Sequence, residues 1–187
     1  NGVVAVGSFQ KDGVGWGNGD EPKFIKGPDI FSDTVELLSR RFPLHVVLTG
    51  PARGYVKKRL AAAGIPFTHC YVKDFDELYK YYHALDLYLV TSRNEGGPKS
   101  ILESMASGVP LVTTAVGMAP DVVLDGINGR LCSLLDPEAI AAVATELLDD
   151  ATCRADLVKA GRGTAEKYSW GTIAASYFRD LYAPLIS

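Results

Sequence analysis

Short apolar runs alternate with amphipathic stretches along most of this sequence. The runs are rich in β-branched residues and show little alternation of polar and apolar positions, which is typical of buried strands in a parallel sheet. They lie at residues 3–6, 46–48, 67–72, 87–90 and 111–113. Between them, apolar positions such as Ile30, Phe31, Val35 and Leu38 recur at helical spacing. The β-α-β-α order predicts an α/β domain, a Rossmann-like, doubly wound parallel sheet flanked by helices.

From residue 137 onward the pattern becomes wholly helical. It ends in TIAASYFRDLYAPLI, whose aromatic and aliphatic stripe predicts that this helix covers another surface. The sequence begins at Asn1 and enters a strand-like run at once. We therefore expect residues 1–187 to form one domain of a longer polypeptide.

Composition narrows the class of protein. The chain has 187 residues, of which 47% are hydrophobic and 22% charged, with a formal net charge of −3. That size suits a single domain with a sizeable core, and the charge gives no reason to expect nucleic acid or anionic lipid as a partner. Three cysteines without a C-x-x-C pair indicate reduced thiols and a cytoplasmic location. No apolar run reaches the roughly 20 residues that span a bilayer.

Several familiar motifs are missing or are explained more simply. His45, His69 and His83 lack metal-ligand spacing, so we expect no metal site. The D-x-D formed by residues 74–76 is better explained as a helix cap, with Asp74 at the N-cap and Glu77 as its capping-box partner. The sequence also lacks the G-x-G-x-x-G, P-loop and nucleophile-elbow motifs. Dehydrogenase, P-loop and hydrolase functions are therefore disfavoured.

One segment, LVTSRNEGGPKSILESMASGVPLVT, has the order strand, glycine turn, helix, strand. Gly96 and Gly97 would let a ligand approach the backbone, and Pro98 predicts a helix start with unpaired N–H groups. Such a helix start binds anions, and a diphosphate fits it. Lys99 lies in the first turn, where the helix dipole disfavours a cation by about 0.3 to 1 kcal/mol. A bound anion would account for its presence there.

The same helix carries a candidate nucleoside contact. Ser100 and Glu103 are predicted to face the cleft, so that Glu103 accepts hydrogen bonds from both ribose hydroxyls. The predicted buried face consists of Ile101, Leu102, Met105 and Ala106. Two simpler interpretations stay open: Lys99 and Glu103 form a solvated ion pair one turn apart, and Glu95 only complements the helix dipole.

EGGPKSILESMASGVP resembles the E-x7-E signature of retaining GT-B glycosyltransferases of family four. VGMAPDVVLDGINGRL resembles their donor-sugar loop, and the similarity extends from VAVGSF through KGPDIF and VVLTGP to SWGTIAASYFRDLY. The resemblance implies that the chain is the C-terminal, donor-binding half of a GT-B fold. It also implies that Glu103 holds the ribose and that Glu95 faces the donor sugar. Lys26, in IKGPD, would neutralise the leaving diphosphate.

Two departures from the family pattern concern the phosphate clamp. The family usually has an arginine just after the first strand's glycine, whereas here Ser8 follows Gly7, and the loop to Lys26 is unusually long. Lys11 on that loop either replaces the missing charge or is an ordinary solvated lysine, and both interpretations stay open.

The resemblance also suggests where the rest of the donor lies. It places the base on the loop at residues 71–75, with Val72 and Lys73 among the donor-binding residues. Asp121 stands where the family often has a glutamate that contacts sugar hydroxyls. The base itself, whether uracil, guanine or adenine, is not identified by the sequence.

The expected function is metal-independent, retaining transfer of a sugar from a nucleotide diphosphate donor, with no cofactor. The expected partners are the donor and the protein's own N-terminal acceptor domain, through which any peripheral membrane contact would be made. Two alternatives stay open: a nucleotide-sugar epimerase or phosphorylase on the same fold, and a non-catalytic module that binds nucleotide sugars.

Overall fold

The computed structural model describes residues 2–133 and 135–186. Its centre is a parallel sheet of six strands in the order β3-β2-β1-β4-β5-β6. The strands are β1 Val4–Phe9, β2 Leu44–Thr49, β3 Phe67–Cys70, β4 Leu87–Val90, β5 Leu111–Thr114 and β6 Arg130–Cys132. The chain winds outward from β1 in one direction and from β4 in the other, which confirms the predicted doubly wound α/β fold. A ligand cleft is expected where these two neighbouring strands end.

Helices connect the strands and complete the C-terminal part. They are α1 Pro28–Ser39, α2 Gly54–Ala62, α3 Leu78–Tyr82, α4 Lys99–Ser107, α5 Ala119–Val122, α6 Pro137–Asp149, α7 Ala151–Lys167, α8 Trp170–Tyr177 and α9 Ala183–Ile186. Short 3-10 turns precede α1 and α3, at Phe24–Lys26 and Phe75–Glu77, and a π-helical turn at Phe178–Tyr182 joins α8 to α9. None of the helices in the described ranges is long and apolar enough to cross a membrane.

The core lies on both faces of the sheet because successive side chains of a strand point to opposite sides. In β4, Leu87 and Leu89 join a cluster that packs under α1, α2 and α6. Tyr88 and Val90 join a second cluster formed with residues of α3, α4 and α5. Both faces of β4 are therefore fully buried, as its continuous apolar run predicted.

The sequence analysis was wrong in two details. It missed β6, a strand of only three residues whose arginine and cysteine give no apolar run. On α4 it predicted Ala106 to be buried, but Ala106 is exposed and Ser104 is buried in its place. Ser104 can be buried because its hydroxyl donates to the carbonyl of Val109 at 3.1 Å.

The C-terminal helical segment keeps its apolar stripe exposed. The exposed fractions range from 55% for Leu181 to 82% for Leu185. Trp170, Tyr177, Phe178, Tyr182 and Ile186 are exposed as well. That this stripe covers a further surface stays a prediction.

Candidate functional site

A cleft of about 490 Å³ opens at the carboxyl edge of the sheet, where β1 and β4 diverge. Four lysines and two glutamates line it: Lys11, Lys23, Lys26, Lys99, Glu95 and Glu103. The remaining lining residues are apolar or neutral and come from the ends of β1, β2 and β4, the segment after β3 and the start of α4. The excess of positive charge makes the cleft suited to an anionic ligand.

Lys26 and Glu95 meet in this cleft although 69 residues separate them in the sequence. The Lys26 ammonium donates a hydrogen bond to Oε1 of Glu95, and both side chains are largely buried, with exposed fractions of 25% and 16%. The Ser92 hydroxyl donates to the same oxygen at 3.1 Å. Both contacts use Oε1, so Oε2 of Glu95 lies outside them and can accept from a ligand. The ammonium retains further N–H donors for the same reason.

A second ion pair fixes the loops that carry these two residues. Arg93 binds both carboxylate oxygens of Asp29 in a bidentate arrangement, at 2.7 and 2.6 Å. Burial alone would raise the pKa of Asp29, but the hydrogen bonds and charge of Arg93 outweigh it and lower the pKa. The backbone N–H of Arg93 also donates to the carbonyl of Ile25 at 2.9 Å. The turn before α1 and the loop after β4 therefore form one connected unit.

Gly27 explains how closely these two loops approach. Its φ is +64°, in the left-handed region, and an added Cβ would lie 1.8 Å from the carbonyl oxygen of Thr91. The Thr91 hydroxyl donates to the Gly27 carbonyl at 2.9 Å. Only glycine fits this position, and its fit places Lys26 directly beside the end of β4.

The start of α4 forms one wall of the cleft. Pro98 occupies the N-cap position, and Lys99 and Ser100 open the helix, as predicted. Gly97, Pro98, Lys99 and Ser100 all line the cleft. The first-turn N–H groups and the positive end of the helix dipole thus lie at the ligand space.

Glu103 is held by a buried tyrosine. The Tyr82 hydroxyl donates to Oε2 of Glu103 at 2.9 Å. Burial, then the neighbouring Tyr88 and Glu103, raises the pKa of Tyr82 well above its ordinary value, so the hydroxyl stays a donor. Within the described residues Lys99 and Glu103 form no ion pair, and the Lys99 ammonium lies 5.9 Å from the ring centroid of Trp170. The structure therefore disagrees with the interpretation of these two residues as a solvated pair.

The predicted base loop also lines the cleft, through Tyr71, Val72 and Phe75. Phe75 is 81% exposed and presents its ring to solvent. Asp74 caps the following turn, because its carboxylate accepts from the backbone N–H of Asp76 at 3.0 Å. Glu77 does not complete the predicted capping box, since its side chain binds Lys80 instead.

Some predicted donor-binding residues lie outside the cleft lining. Gly7 and Ser8 are buried in β1, where a Cβ on Gly7 would collide with Leu85 and Ser8 contacts Arg53. Lys73 and Gly96 do not line the cleft either. The carbonyl of Gly96 accepts a hydrogen bond from the backbone N–H of Met118 at 3.1 Å. These residues can shape the cleft but do not form its wall.

The predicted donor-sugar loop is tied to Glu95 through a glycine. Gly117 has a φ of +50°, and an added Cβ would lie 2.2 Å from the carbonyl oxygen of Gly96 and 2.4 Å from that of Glu95. The loop after β5 therefore packs directly on the peptide that carries Glu95. Asp121 follows on α5, outside the lining of the cleft.

Beneath the cleft floor lies a fully buried ion pair that the sequence analysis missed. Nε of Arg53 is 2.9 Å from Oδ1 of Asp12, and both side chains have an exposed fraction of 0%. The Arg53 guanidinium also donates to the carbonyls of Ser8, Gln10 and Thr49 at 2.6, 3.1 and 2.8 Å. Burial raises the pKa of Asp12 and lowers that of Arg53, and each shift is opposed by the partner's charge.

Lys23 is the main cleft residue that the sequence analysis missed. It lies at the end of the long glycine-rich loop, and its backbone N–H donates to the carbonyl of Asp12 at 2.7 Å. The sequence signal was weak, because nothing in the loop's pattern shows that its two ends pair. In the structure, an isolated β-bridge between Gly13 and Pro22 joins the two ends of this loop.

Comparison with known proteins gives this cleft its context. The family model for Glycosyl transferases group 1 matches residues 10–150. This chain belongs to that family. The glycosyltransferase chain is 32% identical over 170 residues to D-inositol 3-phosphate glycosyltransferase of Xylanimonas cellulosilytica, covering 86% of this chain and 40% of that protein. It is 33% identical over 135 residues to the lipopolysaccharide core biosynthesis mannosyltransferase LpsB of Rhizobium meliloti, covering 67% and 38% respectively.

Solved structures agree with the fold. The C-terminal domain of the group 1 glycosyl transferase LpcC from Francisella tularensis has a TM-score of 0.75 at 21% identity, with 89% of this chain and 87% of that chain covered. HepE of Anabaena, solved in complex with UDP-glucose, has a TM-score of 0.77 at 22% identity, with 97% and 49% covered. The chain thus spans about 40% of the curated relative from Xylanimonas and corresponds to a C-terminal domain of a GT-B glycosyltransferase.

Proposed function

We propose that this domain binds a nucleotide diphosphate sugar and serves a metal-independent, retaining transfer of the sugar to an acceptor. The observation that carries the proposal is the meeting of Lys26 and Glu95 in one basic cleft, beside the start of α4. Membership of the glycosyltransferase family and a structural relative solved with UDP-glucose support the same ligand class.

The diphosphate would lie between Lys26, Lys99 and the N–H groups of the first turn of α4. As the bond to the sugar breaks, negative charge grows on the leaving diphosphate. Fixed ammonium groups and helix-start N–H groups stabilise that charge without a reorganisation step, which is the role that a metal ion has in other transferases. Lys26 keeps N–H donors beyond its hydrogen bond to Glu95, so it can contact Glu95 and the diphosphate at the same time.

Glu95 would orient the donor sugar. Its Oε1 is occupied by Lys26 and Ser92, while Oε2 is placed to accept from sugar hydroxyls. The negative charge of Glu95 beside the anomeric centre would also favour an oxocarbenium-like transition state. Retention of configuration follows from the family resemblance, and the roles of these residues rest on their placement in the cleft.

Glu103 would accept hydrogen bonds from the ribose. Removing a charged acceptor of two hydroxyls should weaken nucleotide binding by at least about tenfold. Isothermal titration of the chain with UDP, GDP and ADP, without metal, tests this with Glu103→Ala and the matched variant Glu138→Ala, whose side chain lies on the first turn of α6. Binding that Glu103→Ala loses and Glu138→Ala keeps would support the site. Absence of binding by the unmodified chain would refute it.

Transfer itself requires the longer protein. There, Glu95→Gln should lower the rate of sugar transfer while leaving UDP, GDP or ADP affinity nearly unchanged, because Glu95 faces the sugar and not the nucleotide. Analysis of the product's anomeric configuration tests retention. Normal turnover by Glu95→Gln, or an inverted product, would contradict the proposed mechanism.

A further inference from the structure

We infer that Lys23, together with Lys11, forms a second phosphate-binding arm of the cleft, separate from the start of α4. This inference rests on the proposed function and assigns a role to the glycine-rich loop, residues 11–23, which is here named the clamp loop. Ser8, which stands where the family usually has an arginine, is neutral and buried in β1, so it supplies no positive charge to the cleft.

The clamp loop is closed at its base. The backbone N–H of Lys23 donates to the carbonyl of Asp12 at 2.7 Å, and that of Val14 donates to the carbonyl of Glu21 at 2.9 Å. This pairing brings the two ends of the loop together. Lys11 and Lys23, twelve residues apart in sequence, therefore both line the cleft.

The base of the clamp loop is also anchored to the fold. Asp12 pairs with Arg53, which in turn binds carbonyls at the ends of β1 and β2. On the far side, the backbone N–H groups of Gly54 and Tyr55 donate to the carbonyls of Asn18 and Gly19 at 2.7 and 2.8 Å. The loop is thus a fixed support for its lysines.

The two lysines lack a compensating charge. In the described part of the chain, neither Lys11 nor Lys23 has a carboxylate within 4.0 Å, whereas Lys26 has Glu95. The Lys11 ammonium lies 3.8 Å from the ring centroid of Trp16, which is 79% exposed. A cation over an indole face is attracted by the ring's quadrupole and is not neutralised by it. Two uncompensated ammonium groups that line one cleft raise its positive potential, and a bound polyanion would offset that charge.

The ligand class is the phosphate portion of a nucleoside diphosphate. Lys99 and the start of α4 would contact it from the element after β4, and Lys11 and Lys23 would contact it from the clamp loop after β1, since all of them line the same cleft. This geometry predicts that the clamp loop distinguishes diphosphates from monophosphates and nucleosides, and that it contributes little to recognition of the base or ribose.

The test is isothermal titration of Lys23→Ala, Lys11→Ala and the control Lys159→Ala, an exposed lysine on α7, with a nucleoside, its monophosphate and its diphosphate. The series uses whichever of UDP, GDP or ADP the unmodified chain binds best. Each clamp-loop variant should lose about tenfold in diphosphate affinity and nothing in nucleoside affinity, and Lys23→Arg should retain most of the binding. The diphosphate affinity of the variants should also depend less on salt.

The outcomes separate this inference from the function on which it rests. If the unmodified chain binds no nucleoside diphosphate, the proposed function fails and the clamp fails with it. If the chain binds and both clamp-loop variants match Lys159→Ala, the clamp alone is refuted. Equal loss of nucleoside and diphosphate affinity would place the effect away from the phosphates and would also overturn the inference.

Discussion

Removal of Arg53 should destabilise this domain much more than removal of its partner Asp12. In Arg53→Met the Asp12 carboxylate would stay buried without a counter-charge, and breaking a buried pair in this way costs about 3 to 5 kcal/mol. Asp12→Asn leaves the guanidinium with the carbonyls of Ser8, Gln10 and Thr49 as acceptors. We therefore expect a smaller loss of about 1 to 2 kcal/mol for Asp12→Asn.

The pH dependence of the unfolding free energy distinguishes an unpaired Asp12 carboxylate from a simple packing defect in Arg53→Met. Burial raises the pKa of Asp12, and loss of the Arg53 charge would raise it further. A carboxyl whose folded pKa lies above its unfolded value is most favourable to folding at low pH, and this contribution is lost as pH rises through the folded pKa. The loss of unfolding free energy in Arg53→Met, relative to the unmodified chain, should therefore become smaller as the pH falls from about 7.5 to about 5.

The assay is urea unfolding of both single variants and of the double variant at the two pH values. The double variant should be more stable than Arg53→Met alone, because the isolated carboxylate is gone. The reasoning would be refuted if Arg53→Met were no less stable than Asp12→Asn, or if its deficit were the same at both pH values.

Three further predictions concern the cleft and the sheet. Gly117→Ala should lower the free energy of unfolding by about 1 to 3 kcal/mol and weaken nucleotide-sugar binding, because an added Cβ would collide with the backbone at Glu95 and Gly96. The control Gly163→Ala, in open space on α7, should leave both quantities unchanged or raise the stability. Equal effects of the two variants in unfolding and titration experiments would contradict the close approach of Gly117 to Glu95. Burial raises the pKa of Cys132 to about 11, so at pH 8 mass spectrometry should find the other two cysteines labelled by a thiol reagent first. Arg93 outweighs burial and lowers the pKa of Asp29, so the unmodified chain should have a larger free energy of unfolding than Asp29→Asn above about pH 4. This difference should disappear as the pH falls further and Asp29 is protonated. A difference that persists in acid would show that the Arg93–Asp29 ion pair is not its source.

The sheet was predictable because its strands are buried on both faces. Leu87–Val90 reads as an uninterrupted apolar run, and its predicted bounds agree with those of β4. Arg130–Cys132 carries no such run, because β6 is a short strand at the edge of the described sheet, where it pairs with β5. Hydrophobic patterning reports burial and not pairing, so a half-buried edge strand gives no signal.

The part of the site that follows local rules was also predictable. The glycine turn, the helix start at Pro98 and the position of Glu103 on α4 all depend on residues close together in sequence. The contact of Lys26 with Glu95 was not predicted, and the family resemblance only assigned both residues to the donor. Lys26 follows β1 and Glu95 follows β4, and these strands are neighbours in the sheet although the two residues are far apart in sequence. Tyr82 could not be found from the sequence, because a tyrosine on an apolar helix face gives no sign of which carboxylate its hydroxyl meets.

The clamp loop shows most clearly where sequence reasoning stops. Its glycines indicate turns, but the loop's position is set by Asp12, which reaches Arg53 across 41 residues of chain and the end of β2. A buried ion pair contributes less stability than well-packed apolar side chains would, since desolvation opposes its attraction. An apolar contact, however, would tolerate sliding of the loop, whereas three carbonyl acceptors fix the Arg53 guanidinium and its charge attracts Asp12 to that point. If Lys11 and Lys23 bind phosphate, the Asp12–Arg53 ion pair is less stabilising than apolar packing would be but positions the two lysines. Asp12→Asn should then weaken diphosphate affinity even where the domain remains folded.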